Sequence, residues 1–212
     1  MKNIFLAFTL LLATCLPGQA QDLKNNSGSE PKSNFEVTIN GKKIKVTEDE
    51  PFVIDTVLVK PTISIKLSPL KKFDNASISF DYPKHLSFEF EQDYGFKNWT
   101  LSGNDFTVMI FEMDAKTTLS SITDEMVKKF KKKNCVIEDF EKDLGNVKCT
   151  GKSLMVTLAG QKLLLDCYEI VLNDFKSRFI YFQDVFTDGQ HSAEYQEWFS
   201  VINSSIKYTV NN

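Results

Sequence analysis

The chain has 212 residues, of which 42% are hydrophobic and 25% are charged, and its formal net charge at pH 7 is −3. This length predicts one domain of ordinary size, with or without a small β appendage, that can build a core without disulfide staples. The mild acidity argues against nucleic acid as the main partner, because binding to phosphate backbones depends on a clustered positive field.

Residues 1–20 have the pattern of a secretory signal peptide. Lys2 precedes an uncharged apolar run over 4–13, and small residues lead to Ala20. The run is too short to span a bilayer of about 30 Å, and no comparable run follows it. We therefore predict a chain that is secreted or periplasmic after cleavage near Ala20, with no transmembrane segment. An alternative is a lipoprotein anchored at Cys15, because the residues before it resemble a lipoprotein box.

Residues 21–33 are polar, with one apolar residue, and predict a disordered tether. Residues 34–70 predict β structure. The runs 35–39 and 42–46 alternate around Asn40-Gly41, which is the strongest two-residue hairpin signal. Two β-branched runs follow, 52–59 and 62–67, and Pro61 between them confines strands here to sheet edges. This region is therefore expected to be a hairpin with added edge strands.

Residues 71–210 predict an α+β domain. Strands are expected over 76–82, 86–91, 99–101, 106–113, 135–141, 147–158, 163–172 and 175–186. Apolar residues at helical spacing predict one helix from Leu119 to Phe130 and a closing helix from about Ser192 that includes Trp198. The predicted fold class is a central antiparallel β-sheet with helices packed on it.

Three cysteines follow the predicted signal peptide: Cys135, Cys149 and Cys167. If the chain turns at 143–146 and 159–162, Cys135 and Cys167 lie on either side of Leu154, two strand spacings or about 9.5 Å apart. A disulfide needs Cα atoms within about 7 Å of each other. Cys149 lies farther along the strand, so three unpaired thiols are predicted.

No catalytic, cofactor-binding or metal-binding residue is predicted. The Gly151-Lys152-Ser153 run is not a phosphate loop, because five residues rather than four separate Gly145 from Gly151 and a strand pattern follows. His85 and His191 lie in turn contexts, near Asp81 and Asp188 in sequence but without the spacing of metal ligands.

Aromatic residues are more numerous than one small sheet face requires. A candidate binding patch for a protein partner or a small apolar ligand consists of Phe88, Phe90, Phe96, Trp99 and Tyr181. A second candidate surface is a patch for anionic surfaces, formed by Lys128, Lys131, Lys132 and Lys133. The same lysines also suit a solvated helix end, where they favour the helix dipole.

The order of elements resembles the PsbP-like family over residues 73–208. The resemblance rests on the strand 78–83 with its Phe-x-Tyr-Pro run, the strand with Trp99, the helix from Leu119, the turn at Leu144-Gly145, the strand with Gly151 and the final helix ending at 202–206. It implies a central antiparallel sheet sandwiched by helices. It also implies a binding or assembly module, because the family shares no catalytic residues that could be carried over.

The sequence therefore predicts an exported, non-enzymatic module that binds a protein partner or a small apolar ligand. One alternative is a hydrolase-type enzyme whose site is assembled from scattered Asp, Glu and His residues. Another is a membrane-surface protein, peripheral or lipid-anchored, that docks through the lysine-rich helix.

Overall fold

The structure is a computed structural model that describes residues 28–55, 57–172 and 174–209. The predicted signal peptide, Cys15 and the first part of the predicted tether lie outside the described residues. The end of that tether contacts the folded chain, because Glu30 pairs with Lys71 and the backbone N–H of Ser33 donates to Glu48.

The N-terminal β-sheet has the strand order β2-β1-β3, formed by β1 (Asn34–Ile39), β2 (Lys42–Thr47) and β3 (Ile63–Leu67). The predicted hairpin is confirmed, since Ile39 lies opposite Lys42 across a two-residue turn. Asn40 and Gly41 have φ angles of 48° and 83°, and such a turn needs positive φ at both central positions. Both neighbours of β1 run antiparallel to it.

The largest sheet has seven antiparallel strands in the order β6-β7-β8-β12-β11-β10-β9. Its strands are β6 (Ser87–Asp93), β7 (Phe96–Ser102), β8 (Phe106–Met113), β9 (Cys135–Leu144), β10 (Val147–Leu158), β11 (Gln161–Ile170) and β12 (Ser177–Phe186). A smaller sheet contains β4 (Leu70–Asn75), β5 (Ile78–Pro83) and β13 (Lys207–Tyr208), in the order β13-β5-β4. The two helices of the described residues are α1 (Leu119–Phe130) and α2 (Ala193–Ser205).

Each face of the seven-stranded sheet borders a separate hydrophobic core. On one face, Phe106, Val108 and Ile110 of β8 pack with residues of β4, β5 and α2. On the other face, Met109 and Phe111 pack with residues of β10, β11, β12 and α1. Apolar residues at both alternating sets of positions over 106–113 predict cover on both sides of this strand, and the two cores confirm it.

The predicted α+β class is wrong, because the protein is mostly β. Strands hold 54% of the described residues and helices 16%. The sequence predicts a single sheet covered by helices. In the structure, β4 and β5 form a second sheet against one face of the large one, and their Phe73, Phe80 and Tyr82 are buried in the shared core. The sequence predicts a strand over 76–82 in the central sheet, because alternation marks a strand but does not specify which sheet it joins. Strand β4 is not predicted from the sequence at all.

The predicted strand over 52–59 is also wrong, because no strand occurs among the described residues between Thr47 and Ile63. The strands β2 and β3 are parallel to each other and lie at opposite edges of the N-terminal sheet. The connection must therefore run back along the sheet and past β1. Pro51 and Pro61 flank this segment, and proline removes a backbone donor that a paired strand would use.

The three cysteines of the described residues are free thiols, as predicted, although the strand register differs from the expected one. The turns are tighter than expected, so Cys135 lies opposite Val156 and Cys167 lies opposite Lys152. Burial raises the pKa of the Cys167 thiol well above its usual range, and it also raises the pKa of Cys149.

These environments predict two classes of thiol. In a protein spanning residues 21–212, the partly exposed Cys135 should react with a thiol reagent first, while the buried Cys149 and Cys167 should react only as the fold opens. Denaturation without reductant should release three thiols in a colorimetric titration. A count of one in the unfolded chain would show a disulfide and contradict the structure.

Candidate interaction surface at the N-terminal sheet

The N-terminal sheet has one apolar face and one polar face. The register places Phe35, Val37 and Ile39 of β1 opposite Leu67, Ile65 and Ile63 of β3, and Ile44 and Val46 of β2 complete this face. The alternate residues are polar: Glu36 pairs with Lys43 on the opposite face, which also carries Lys45 and Lys66. The period-two pattern of each strand thus produces a sheet with two chemically different sides.

The apolar face is unevenly covered. Ile39 is buried and Phe35, Val37, Ile44 and Val46 are half-buried. By contrast, Ile65 in β3 is 67% exposed, and its neighbours Ile63 and Leu67 are exposed as well. The β3 side of this face therefore lacks the cover that the β1 and β2 residues have.

The crossover segment that precedes β3 adds further exposed apolar side chains. Eight of the fourteen exposed large hydrophobic residues in the described part of the chain lie within residues 52–67, and we call them the apolar segment: Phe52, Val53, Ile54, Val57, Val59, Ile63, Ile65 and Leu67. A concentration of this kind is characteristic of interaction sites, whereas isolated exposed hydrophobic residues are ordinary.

The two edges of the N-terminal sheet differ. The β2 edge carries Lys42, Lys43 and Lys45, and charged side chains of this kind disfavour pairing with a further strand. The β3 edge carries a single lysine, Lys66, and no strand of the described residues pairs with it beyond β1. Only the β3 edge is therefore suited to accept another strand.

Backbone hydrogen bonds show which residues of β3 face this open edge. The carbonyl of Thr62 accepts from the N–H of Asn40, and the N–H of Ser68 donates to the carbonyl of Asn34. In an antiparallel ladder, alternate residues bond to the same neighbour, so the even-numbered residues of β3 face β1. The N–H and C=O groups of Ile63, Ile65 and Leu67 consequently point away from β1, toward the open edge.

The aromatic patch predicted from the sequence is not a surface. Trp99 is 1% exposed, and its ring centroid lies 5.3 Å from that of Phe90 in the core shared with β4 and β5, where Phe88 also packs. Phe96 and the fully buried Tyr181 lie on the other face of the seven-stranded sheet. These residues build two cores, because the seven-stranded sheet is covered on both faces.

The predicted lysine patch lies at the exposed C-terminal end of α1. Lys128 pairs with Glu125, and Lys131, with a φ of 69°, ends the helix. Lys132 and Lys133 continue into a short 3-10 helix and are exposed. Within the described residues, no helix is long and apolar enough to span a membrane.

Both histidines lie near the start of α2, and each is bound by a carboxylate that sequence proximity did not identify. The Nδ1 of His191 lies 2.7 Å from Oδ2 of Asp184, which is fully buried and also accepts from the N–H of Ser192. The His191 ring stacks on Tyr195 at 3.9 Å. A carboxylate that orients an imidazole is an arrangement that can act as a base. Here the same carboxylate also holds the N–H of Ser192, whose side chain accepts from the N–H of Tyr195 and caps α2, so the contacts of this group organise the start of the helix.

The carboxylate that contacts His85 also binds backbone N–H groups. His85 lies 3.1 Å from Glu194, whose other carboxylate oxygen accepts from the N–H groups of Asp105 and Phe106. Glu194 lies so close to Gly103 that any Cβ there would clash with its carboxylate. Glu194 therefore ties α2 to the turn between β7 and β8.

A buried ion cluster, which the sequence analysis did not identify, joins β8 and β12. The guanidinium of Arg178 is 3% exposed and donates to both carboxylate oxygens of Asp174 and to Glu112, which is 6% exposed. Lys176 also donates to Glu112, at 2.7 Å. The hydrogen bonds from Arg178 lower the pKa of Asp174. The register itself, with Arg178 opposite Glu112, could have indicated this pair.

A cavity of about 460 Å³ lies where the start of α1 meets β9, β10 and β11. Its polar lining includes Asp139, Glu141, Lys152 and Glu169, and Lys152 pairs with Asp139. Gly151 lies within β10, as the strand pattern predicted, and a Cβ there would clash with the ring of Phe140. In the described residues, no group of three or more His, Cys, Asp or Glu side chains is arranged to hold a metal ion.

No family model and no curated protein matches the chain. A solved structure that it matches is a crystal structure from Bacteroides thetaiotaomicron VPI-5482, with 14% sequence identity over 67% of this chain and a TM-score of 0.41. The match covers 49% of that chain, so the present chain spans about half of its length.

Proposed function

We propose that the protein is an exported, non-enzymatic module that binds another protein through its N-terminal sheet. The single observation that carries this proposal is the concentration of exposed hydrophobic side chains within residues 52–67. Exposed apolar clusters lose unfavourable contact with water when a partner covers them, and this favours association.

The shape of the surface favours a protein over a small apolar ligand. Small ligands are usually enclosed in a concave cavity that covers most of their surface. Here the exposed apolar residues belong to a sheet edge and to the segment before it, whose described residues form no strand. Such an edge supplies backbone hydrogen bonds to an extended chain, and a neighbouring apolar face gives that chain side-chain contacts.

Export after a signal peptide, with lipid anchoring at Cys15 as the alternative, is part of the same proposal and rests on the sequence pattern of residues 1–20. The resemblance of residues 73–208 to the PsbP-like family is likewise proposed, and it agrees with a role in binding or assembly. The hydrolase alternative receives less support from the geometry, because Asp184 and Glu194 accept hydrogen bonds from backbone N–H groups and fasten α2 to the sheet.

Substitution of Ile65 tests the proposal. A photo-crosslinking residue at position 64, in cells that express the tagged chain, should trap a partner in the wild-type background. The Ile65→Lys variant should reduce the trapped product about tenfold or more, because a lysine would have to be desolvated beneath the partner. Ile65 is 67% exposed, so the substitution should leave the fold intact.

A matched control is Val171→Lys, because Val171 is 80% exposed and lies outside the N-terminal sheet. This variant should retain the wild-type amount of crosslinked product. Equal crosslinking in the Ile65→Lys and wild-type chains, or no product in either, would contradict binding through the N-terminal sheet.

A further inference from the structure

We infer that the partner at this surface is a second copy of the chain, whose β3 strand pairs antiparallel with β3 of the first copy across a two-fold axis. This inference rests on the proposed function, since it names the occupant of the same surface. The result is a continuous six-stranded sheet, with the order β2-β1-β3 in each half. The interface is isologous, so each copy contributes the same residues to it.

The backbone of β3 is suited to pairing with itself. The groups that point to the open edge belong to Ile63, Ile65 and Leu67, as the bonds of Thr62 and Ser68 to β1 show. When Ile65 lies opposite Ile65 of the second copy, Ile63 lies opposite Leu67 on both sides of the axis. All three residues then form hydrogen-bonded pairs, and every N–H and C=O that points to the edge acquires a partner.

The side chains of β3 favour the same register. Ile63, Ile65 and Leu67 lie on one face of the strand, so self-pairing brings apolar residues of both copies together on one side of the new sheet. On the other side, Ser64 lies opposite Lys66. A shift by two residues in one direction would place Lys66 opposite Lys66, and like charges directly opposite each other are destabilising.

The apolar segment supplies exposed apolar side chains at and next to this interface. Ile63, Ile65 and Leu67 lie in the paired strand, and the other five residues of the segment precede it in the chain. The lysines along β2 disfavour pairing at the other edge of the sheet, so assembly stops at two copies and does not continue into a fibre.

Analytical ultracentrifugation of a protein spanning residues 21–212 tests the inference. The wild-type chain and the Val171→Lys control should sediment as concentration-dependent dimers. Ile65→Lys should raise the dimer dissociation constant about 100-fold or more, because two lysines would face each other at the centre of the interface. A wild-type monomer at 100 μM would overturn the inference, as would a dimer that Ile65→Lys leaves unchanged.

Disulfide trapping tests the register. In a Cys135→Ser background, Ile65→Cys places two thiols in a pair whose Cα atoms are about 5.5 Å apart, within the range for a disulfide. Oxidation should give a covalent dimer. Ser64→Cys is the matched control, because its two copies are about 8 Å apart and should not link. Efficient linking of Ser64→Cys without linking of Ile65→Cys would overturn this register.

The two proposals can fail separately. If the chain is monomeric but position 64 still crosslinks to a different protein in cells, the second-copy inference is overturned and binding through the N-terminal sheet stands. If position 64 crosslinks to nothing and the chain is monomeric, both fail. A crosslinked product composed only of this chain supports both.

Discussion

Replacement of Phe73 by alanine should lower the free energy of unfolding by about 3–5 kcal/mol, a typical cost for removing a buried phenylalanine ring. Phe73 lies in β4 and is fully buried. Its ring stacks on Phe80 of β5 with centroids 4.9 Å apart and meets Trp99 of β7 edge-on at 6.0 Å. It therefore joins the small sheet to the seven-stranded sheet, and its loss would leave a cavity between them.

Urea unfolding followed by tryptophan fluorescence measures this change, since Trp99 reports directly on the affected core. Phe175→Ala provides a control with the same chemical change, because Phe175 is 88% exposed. That variant should differ from the wild type by less than about 0.5 kcal/mol. A loss of less than about 1 kcal/mol in Phe73→Ala would contradict the packing of the two sheets against each other.

Local patterns in the sequence specified the strands well. The Asn40-Gly41 turn and the alternation around it identified β1 and β2 to within a residue, because the turn type dictates both residue choice and register. The alternation of Phe106, Val108 and Ile110 with Met109 and Phe111 correctly indicated two buried faces for β8. These features depend only on residues close together in the chain.

Assignment of strands to sheets could not be derived in the same way. The strand predicted over 76–82 is β5, and it pairs with the unpredicted β4 in a separate sheet that covers one face of the large one. Alternation gives the two sides of a strand but not the neighbour that covers each side. The fold class was therefore wrong even where most individual strands were correct.

The same limit explains the candidate surfaces. Trp99 and Tyr181 appeared to be in excess of one sheet face, and the structure has two cores that accommodate them. The β-branched residues from Phe52 to Val59 predict a strand, but none of the described residues in this run belongs to one. A hydrophobic run between two prolines that cannot join the sheet could have been recognised as a candidate contact surface.

Replacement of Arg178 by methionine should lower the free energy of unfolding by about 3 kcal/mol, because the buried Glu112 loses the guanidinium that lies 3.0 Å from its carboxylate. Glu112 retains Lys176 at 2.7 Å, so the loss should lie at the lower end of the range for a broken buried pair. Lys148→Met is the matched control. Lys148 pairs with Glu141 on the exposed surface, where an ion pair contributes no more than about 1 kcal/mol.

The double variant Arg178→Met with Glu112→Leu separates the ion pair from simple packing. When both charges are absent, no buried carboxylate is left without its guanidinium partner, so the double variant should be more stable than Arg178→Met alone by about 1–3 kcal/mol. A double variant that is less stable than either single variant would contradict this account. Denaturant unfolding of all four chains completes the cycle.

Acid titration of the same chains gives an independent check. Arg178 lowers the pKa of Asp174, so this carboxylate contributes stability above its unfolded pKa of about 3.9, and the contribution is lost as the pH falls through the lower folded value. Arg178→Met lacks that contribution at every pH. The difference in stability between the wild type and the variant should therefore narrow as the pH falls below about 3.9 toward the lower folded pKa of Asp174, because protonation of Asp174 removes the charge with which Arg178 pairs.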